Sequence, residues 1–343
     1  MDRIPDTSTP VLRSRFVSTG HLPPPQQTQD MIDLSYRIFR DIDEGETYAS
    51  YPALRAMPRE LFGVALATTD GRSYAAGDAE VPFTIMSVAK PFLFALVSEE
   101  IGAEEVRARV GLNATGMEFN SVVAIELREG HYTNPMVNAG AMATLSLAPG
   151  TRAERKWRFV REGLSRFAGR ELQLNEDVYR SVSASNWRNQ AVSRLLYAHD
   201  RLYFDPIAIA DLYTKMSTLE LTAKDLSVMA STLANGGVNP VTGDRVVDPL
   251  TCQHTLAVMT TSGLYETSGE WLFDVGVPGK SGVAGGMIAA APGKGGLAAF
   301  APPLDAAGNS VRGQLVIKYL SEELGLNVFA SAAAAGARPA SGA

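Results

Sequence analysis

Strand-forming segments lie near both ends of this 343-residue chain, and mostly helical segments lie between them. The first segment, LFGVALATTDGRSYAAGD at 61–78, is typical of two short strands joined through Asp70-Gly71, a favourable hairpin turn. The second comes much later, where apolar runs in GVAGGMIAAAPGKGGLAAFAPPLDAAGNS alternate with Gly, Pro and Asn turns. We therefore expect an α+β fold, in which strands from the N- and C-terminal parts form one antiparallel sheet covered by helices.

The segments between these strands predict a helical subdomain at roughly 100–260, inserted into the sheet-containing part. Their apolar residues recur with a period near 3.6 and stop at Gly, Asp or Pro. Clefts between such subdomains are common ligand sites. A further helix is expected after the last strand, since Leu315, Val316, Tyr319, Leu320 and Leu324 share one helical face. The predicted central helices are ERKWRFVREGLSRFAG, RNQAVSRLLYAHDRL, DPIAIADLYTKMS, TAKDLSVMASTLANGG and DPLTCQHTLAVMTTSG.

The two ends of the chain differ from the rest in composition. Residues 1–28 contain the run TGHLPPPQQTQ, which suits an extended arm. Residues 330–343 are a small-residue, low-complexity stretch that we predict to be disordered. A single catalytic domain is expected between them, at 29–329.

Composition limits the partners. The chain has 31 Lys and Arg against 37 Asp and Glu, a net charge of −6, and the charges are dispersed, so a small molecule is expected rather than nucleic acid or membrane. The lone Cys252 excludes an internal disulfide and is expected to pack, and four scattered histidines predict no metal site. Nothing implies a cofactor. Without an apolar signal core or a span of about 20 apolar residues, a cytoplasmic location is expected.

The stretch FTIMSVAKPF places Ser87 and Lys90 three residues apart inside an apolar run. Pro91 is tolerated only near a helix start, so Ser87 is expected at or just before that start, on the same face as Lys90. A lysine desolvated by its apolar neighbours could take the serine proton and prepare it for acyl transfer. The alternative is a helix-capping serine followed by a solvated lysine.

A second motif, Lys280-Ser281-Gly282, opens an apolar strand. In penicillin-recognising acyltransferases such a strand lines the cleft opposite an S-x-x-K helix, so the two motifs together favour a serine–lysine enzyme. The five nearby glycines are expected to form turns and close strand contacts rather than a phosphate cradle, because no helix follows them directly. They are Gly285, Gly286, Gly293, Gly295 and Gly296.

Longer stretches across about 51–329 strongly resemble the serine-dependent glutaminases, which share the fold of serine β-lactamases and penicillin-binding proteins. The resemblance implies a β-lactamase-like fold and hydrolysis of glutamine to glutamate and ammonia through an acyl-serine. It also implies a homodimer or homotetramer. The stretches are FTIMSVAKPF, EFNSV, NPMVNAGAM, RNQAV, LTAKDLSVMASTLANGGVNPVTGDRVV, SGLYETSGEW, KSGVAGG and PGKGGLAAFAPPLDAAGNSVRG.

The resemblance implies a role for individual residues. Ser87 resembles the nucleophile, Lys90 its activating partner and Tyr265 the tyrosine that assists proton transfer. The backbone N–H groups of Ser87 and Val283 would form the oxyanion hole. The remaining matches to substrate contacts of the family are Tyr51, Asn138, Asn189 and Tyr213.

Two of these residues also have ordinary structural interpretations. Asn138 precedes Ala-Gly and could form a turn, and Tyr213 lies on an amphipathic helix, where an aromatic residue is usually part of the core. The match to longer family motifs favours substrate contact for both.

One position departs from the family pattern. The family carries a glutamate seven residues before the asparagine of the R-N pair, where it holds the substrate's α-ammonium; this chain has Val182 there. An unpaired, desolvated ammonium costs on the order of 2 to 5 kcal/mol, or about 30- to several-thousand-fold in kcat/KM. Glutamine recognition would suffer unless Glu176, Asp177 or another carboxylate replaces the missing one. We therefore expect weak glutaminase activity, and a lower KM for glutamine in Val182→Glu.

Three functions stay open at this point. The first is a glutaminase, and the second is a serine amidase of the same fold that acts on another small amide because of Val182. The third is a noncatalytic relative that binds a ligand or partner in the old cleft. The intact set of Ser87, Lys90 and Tyr265 argues against the third, and the longer motifs argue against a β-lactamase.

Overall fold

The computed structural model describes residues 21–330 of the chain. The strands are β1 Gly63–Thr68, β2 Ser73–Gly77, β3 Phe83–Thr84, β4 Gln173–Leu174, β5 Leu219–Leu221, β6 Gly279–Ser281, β7 Gly286–Ala291 and β8 Gly295–Phe300. The helices are α1 Pro25–Phe39, α2 Pro52–Arg55, α3 Ala89–Ile101, α4 Ala103–Val110, α5 Val123–Glu126, α6 Asn138–Ser146, α7 Ala153–Ala168, α8 Glu176–Ser183, α9 Trp187–Ala198, α10 Pro206–Ser217, α11 Ala223–Ala234, α12 Pro249–Ser262, α13 Ser268–Asp274 and α14 Val311–Glu323.

Both chain ends contribute to one antiparallel sheet, with the strand order β2-β1-β8-β7-β6. The predicted hairpin is confirmed, since β1 pairs with β2 and Val64 lies opposite Ala76. On its other side β1 pairs with β8, where Ala65 lies opposite Ala298. The α+β class predicted from the strand positions is confirmed by this pairing of distant segments.

The two faces of the sheet carry different side chains because successive residues of a strand point to opposite sides. Val64 and Leu66 of β1 pack with α1 and α14 residues such as Ile32 and Leu320. Ala65 lies on the other face, against the helical part of the protein. This alternation separates the core into two layers, one on each side of the sheet.

Small residues on the second face let α11 approach the sheet closely. A Cβ atom on Gly296 would lie 2.3 Å from the backbone nitrogen of Ser231 and 2.5 Å from the backbone oxygen of Ser227. A turn forms at Gly293, where φ is +74°. The expectation that this glycine-rich segment serves turns and close packing is confirmed.

The helical part contains all five central helices that the sequence predicts, as α7, α9, α10, α11 and α12. It also contains a small sheet of order β3-β5-β4 that the sequence did not indicate. Its strands are two or three residues long, and such runs carry no readable alternation. The backbone N–H of Ile85 donates to the Leu219 carbonyl beside this sheet, which fixes the chain just before Ser87.

Helix α3 lies at the centre of the larger core. All residues from Ala89 to Ser98 are buried, so this helix has no solvent-facing side over that length. A helix that is apolar all round is typical of the interior of a large domain. Any charged residue in its first three turns is therefore removed from water.

The structure can be compared with the predicted N-terminal arm and C-terminal tail only in part. Helix α1 begins at Pro25 and so takes in the last four residues of the stretch expected as an extended arm, 1–28. The rest of that arm up to residue 20, and the predicted tail beyond residue 330, lie outside the described residues. Within residues 21–330, no helix is both long and apolar enough to cross a membrane.

Candidate active site

Ser87 lies in a single 3₁₀ turn, Met86–Val88, that joins β3 to the start of α3. Met86 has φ of +45°, a left-handed conformation that costs on the order of 1 to 3 kcal/mol and is concentrated at functional sites. Pro91 is the third residue of α3, in its first turn as expected. Ser87 accordingly precedes the helix, and the helix cap is Val88 rather than Ser87.

The amine of Lys90 lies beside the Ser87 hydroxyl, with Nζ and Oγ 2.5 Å apart. The Lys90 side chain is 0% exposed, so the alternative of a solvated lysine is wrong. Burial lowers the pKa of Lys90 from 10.5 to about 7. At neutral pH a large fraction of this amine is unprotonated and can accept the serine proton.

Two tyrosine hydroxyls flank Ser87, those of Tyr213 and Tyr265. Burial raises the pKa of both well above its usual value, while a hydrogen bond with Ser87 acts in the opposite direction. Both phenols are thus protonated through the neutral range. The Tyr265 hydroxyl donates to the Ser281 carbonyl at 3.0 Å, and its ring lies 4.6 Å from that of Phe119. Tyr265 also has a positive φ, +57°, like Met86 across the site.

A second buried amine, that of Lys280, supports this cluster. Its Nζ donates to the carbonyls of Gly263 and Ser281, both at 2.8 Å, and lies 4.2 Å from the centre of the Tyr265 ring. Burial lowers its pKa well below 10.5, and the charge of Lys90 lowers it further. The sequence motif had identified the strand but not this lysine as a member of the site.

The backbone amides of Ser87 and Val283 are available as an oxyanion hole. Gly282 packs against the Ser87 turn, where an added Cβ would lie 3.3 Å from the Ser87 nitrogen, so β6 and this turn are in contact. Within residues 21–330 neither N–H donates to a carbonyl of the chain. Two free donors beside the nucleophile suit the negative oxygen of a tetrahedral intermediate.

A cleft opens in front of Ser87, with about 870 Å³ of empty space, part of it open to solvent. Of the residues predicted to contact substrate, all but Tyr265 line it, and Val182 forms part of its wall. Lys90 and Tyr265 do not line the cleft, so they lie behind its surface. The lining residues predicted from the sequence are Tyr51, Ser87, Asn138, Asn189, Tyr213 and Val283.

A chain of hydrogen bonds links the buried amides of the cleft. The Tyr213 hydroxyl donates to Asn138 at 2.9 Å, and Asn138 donates to Asn189 at 3.1 Å. Asn189 donates to Asn186 at 2.8 Å, and Asn186 donates to the Thr214 hydroxyl at 2.7 Å. The sequence analysis missed Asn186, although it lies one helical turn before Asn189 and so shares its face. Interpreting Asn138 only as a turn residue, or Tyr213 only as a core residue, does not account for these hydrogen bonds.

One group of possible metal ligands lies elsewhere. Glu126, His131 and His199 place their ligand atoms within 4.8 Å of one another, a proximity that sequence spacing did not reveal. The histidine rings stack 3.6 Å apart, His199 pairs with Glu126 at 3.2 Å, and His131 bonds to the Ile125 carbonyl. None of the three lines the cleft. Their protein partners account for the positions of these side chains.

A buried serine–lysine pair at a helix start, next to the edge of an antiparallel sheet, is the arrangement expected of the β-lactamase-like fold class. The sequence profile of the family described as Glutaminase matches residues 45–329. The chain belongs to the glutaminase family.

Several relatives agree with this assignment. Glutaminase 2 of Yersinia pestis is 52% identical over 316 residues, which cover 92% of this chain and 93% of that protein. The glutaminase of Colwellia psychrerythraea is 44% identical over 307 residues, 89% of this chain and 99% of that one.

Solved structures agree as well. The probable glutaminase ybaS superposes with a TM-score of 0.88 at 39% identity and covers 90% of this chain and 100% of its own. The Bacillus subtilis glutaminase YbgJ, solved as a covalent complex with 5-oxo-L-norleucine, gives a TM-score of 0.78 at 28% identity over 90% of this chain and 100% of its own. The predicted family and fold are confirmed by these likenesses.

Proposed function

We propose that this protein hydrolyses the side-chain amide of glutamine to glutamate and ammonia, with Ser87 as the nucleophile. The observation that carries the proposal is the 2.5 Å contact between Ser87 and the fully buried amine of Lys90. A serine hydroxyl is a weak nucleophile until a base takes its proton. The low pKa of Lys90, about 7, makes it that base near neutral pH.

In the first half-reaction the Ser87 proton moves to Lys90 while Oγ bonds to the amide carbon. The carbonyl oxygen becomes negative and is held by the N–H groups of Ser87 and Val283. Collapse of the intermediate breaks the C–N bond. The departing nitrogen takes the proton from Lys90, with the Tyr265 hydroxyl beside Ser87 as the relay, and leaves as ammonia.

In the second half-reaction water attacks the acyl-serine ester. Its proton moves to the again neutral Lys90, and the same two N–H groups hold the new oxyanion. The bond between the acyl carbon and Ser87 then breaks, and Oγ regains a proton. The product is a carboxylic acid that ionises to the carboxylate.

Family members support the chemistry. The Bacillus subtilis glutaminase YbgJ forms its covalent complex by reaction with 6-diazo-5-oxo-L-norleucine, and the protein Mglu was solved in its glutamate form. By analogy Ser87 should bond here to the carbon that carries the diazo group, with loss of N₂, and keep the 5-oxo-norleucine group.

The test is intact mass spectrometry after treatment with 6-diazo-5-oxo-L-norleucine, together with ammonia release from glutamine. We expect one 5-oxo-norleucine adduct on wild type, mapped to Ser87, and none on Ser87→Ala. Absence of any adduct and of ammonia from a panel of amides would contradict the proposal and favour the noncatalytic relative.

Two other expectations stay predictions. These are a cytoplasmic location and a homodimer or homotetramer. Sedimentation of the purified protein would distinguish the oligomers, and cell fractionation would locate it.

A further inference from the structure

The cleft in front of Ser87 carries no negative charge. Among the described residues that line it, none is Asp or Glu, and Arg188 is the one charged side chain. Arg188 is exposed and forms no ion pair with any carboxylate in residues 21–330. A ligand in this cleft therefore meets a cation and neutral polar groups.

The carboxylates that could have replaced a missing charge lie elsewhere. Neither Glu176 nor Asp177, at the start of α8, lines the cleft, and Asp177 pairs with Arg180 at 3.3 Å. Val182, further along that helix, is 3% exposed and presents only an apolar surface. Neither Glu176 nor Asp177 therefore replaces the missing carboxylate in this cleft.

Asn138, Asn189 and Asn186 form one side of the cleft, here called the amide wall, and the hydrogen bonds between them all run in one direction. The Ala210 carbonyl accepts from Thr214 at 2.9 Å and from Asn186 at 3.4 Å, so Asn186 must turn its NH₂ group toward it. Its oxygen then accepts from Asn189, whose oxygen in turn accepts from Asn138. Because a carbonyl carries no donor, the direction of every amide is set from this end of the chain.

This direction decides what the wall offers a ligand. The oxygens of Asn138, Asn189 and Asn186 each already accept one bond from a neighbour, while the amides of Asn138 and Asn189 each keep a second N–H. Donors and a nearby guanidinium suit a carboxylate, which accepts only. An ammonium, which only donates, finds no counter-charge here.

We propose that the cleft selects primary amides of monoanionic acids that carry no ammonium beside the carboxylate. Glutaramate and N-acylated glutamine belong to this class, with the carboxylate held by Arg188 and by the N–H groups of Asn138 and Asn189. The proposal rests on the acyl transfer by Ser87 proposed above. Glutamine is then a substrate that the cleft accepts without favouring it.

A neighbouring cleft offers the competing arrangement. It shares Tyr48, Ser50, Phe119 and Asn120 with this one, and its carboxylates are Glu46, Glu118, Glu266 and Asp305. Glu46 pairs with Arg59 and Asp305 accepts from Gln314, which leaves Glu118 and Glu266 as the first candidates. A glutamine whose ammonium reached those carboxylates would need no counter-charge in the cleft itself. The experiment must therefore include both sites.

The test compares kcat/KM of the purified full chain for glutaramate, N-acetylglutamine and glutamine. We expect wild type to use glutaramate at least as well as glutamine. Val182→Glu should shift the ratio toward glutamine by about 30-fold or more, since it supplies the missing charge. Val182→Gln, of the same length but neutral, should shift it by less than about threefold, within ordinary polar effects.

A clear preference of wild type for glutamine over glutaramate would overturn the proposal, and this comparison needs no variant to fold. If Glu118→Gln or Glu266→Gln then removed that preference, the ammonium would be assigned to the neighbouring cleft. Failure of the acyl-transfer proposal looks different, because no amide would release ammonia and no adduct would form on Ser87.

Discussion

The proposed catalytic pair, Ser87 and Lys90, and the amide wall of the cleft are both polar, but their surroundings differ. Ser87 and Lys90 lie in an apolar interior, where α3 has no solvent face and one short contact joins the two groups. The wall is a series of hydrogen-bonded neutral amides, and the cleft that it lines also carries the exposed Arg188. Desolvation creates the reactivity of the first region, whereas the direction of hydrogen bonds sets the preference of the second. Under the two proposals above, reaction class and substrate choice are carried by separate parts of the molecule.

The largest expected effect comes from removing the nucleophile. Ser87→Ala should lower kcat/KM by about 10⁴-fold or more for every amide, because no acyl-enzyme can form. Ammonia release from glutamine and glutaramate measures it, and circular dichroism confirms the fold. A fold-loss that differed strongly between the two amides would show that the two regions are not separate.

Lys90→Met should lower kcat by about 10²- to 10⁴-fold, the usual loss when a general base is removed. It should also stabilise the protein at and below pH 7, since a buried amine is replaced by an apolar side chain. The Lys90 pKa is lowered on folding, so the unfolded chain binds more protons between about 7 and 10.5. Wild-type stability thus rises with pH there, by up to about 1.4 kcal/mol per unit.

Urea unfolding of both proteins from pH 6 to 10 checks the second half of this prediction. The stability advantage of Lys90→Met should be greatest at and below pH 7 and should shrink as the pH approaches 10. A constant difference would mean that the Lys90 pKa is not lowered by folding.

The pH profile probes the same region with a smaller effect. The base must be neutral in the free enzyme, so kcat/KM should fall about tenfold per pH unit below an apparent pKa of about 7. Lys280→Met should leave this limb in place, because burial alone lowers the Lys90 pKa and Lys280 has its own pKa lowered well below 10.5. Initial rates across pH 5 to 9 test both, and a limb that moved to higher pH would show that a positive charge on Lys280 lowers the Lys90 pKa.

The smallest effect should come from the wall. Asn186→Leu breaks the amide chain and leaves Asn189 without its acceptor, which costs about 1 to 2 kcal/mol, or about 5- to 30-fold in KM, with kcat nearly unchanged. Ser193→Ala is the control, because Ser193 is also buried on α9 but lies outside the cleft. A fall in kcat as large as the rise in KM would show that the amide wall also takes part in the chemical step.

Several features of the site were accessible from short-range patterns. Ser87 and Lys90 share one face because they are three residues apart at a helix start that Pro91 marks. Asn186 could have been found in the same way, from its spacing to Asn189. Arg188 was seen only as a member of the R-N pair, because nothing local shows that its side chain reaches the cleft.

The remaining features depend on distant contacts. Tyr213 and Asn138 are 75 residues apart in the chain but bond directly. Lys280 reaches Tyr265 only because β6 lies at the sheet edge beside the Ser87 turn. The small sheet of β3, β4 and β5 joins segments too short to show a period.

The amino-acid sequence by itself determined the class of fold, the order of most helices and strands, and the placement of Ser87 beside Lys90, since these follow from periodicity and from spacing at one helix start. Only the tertiary structure decided how completely Lys90 is removed from water and which charges line the cleft. Both depend on groups brought together from the whole chain, because electrostatic free energy depends on the distances between charges and on the exclusion of water rather than on neighbours in sequence.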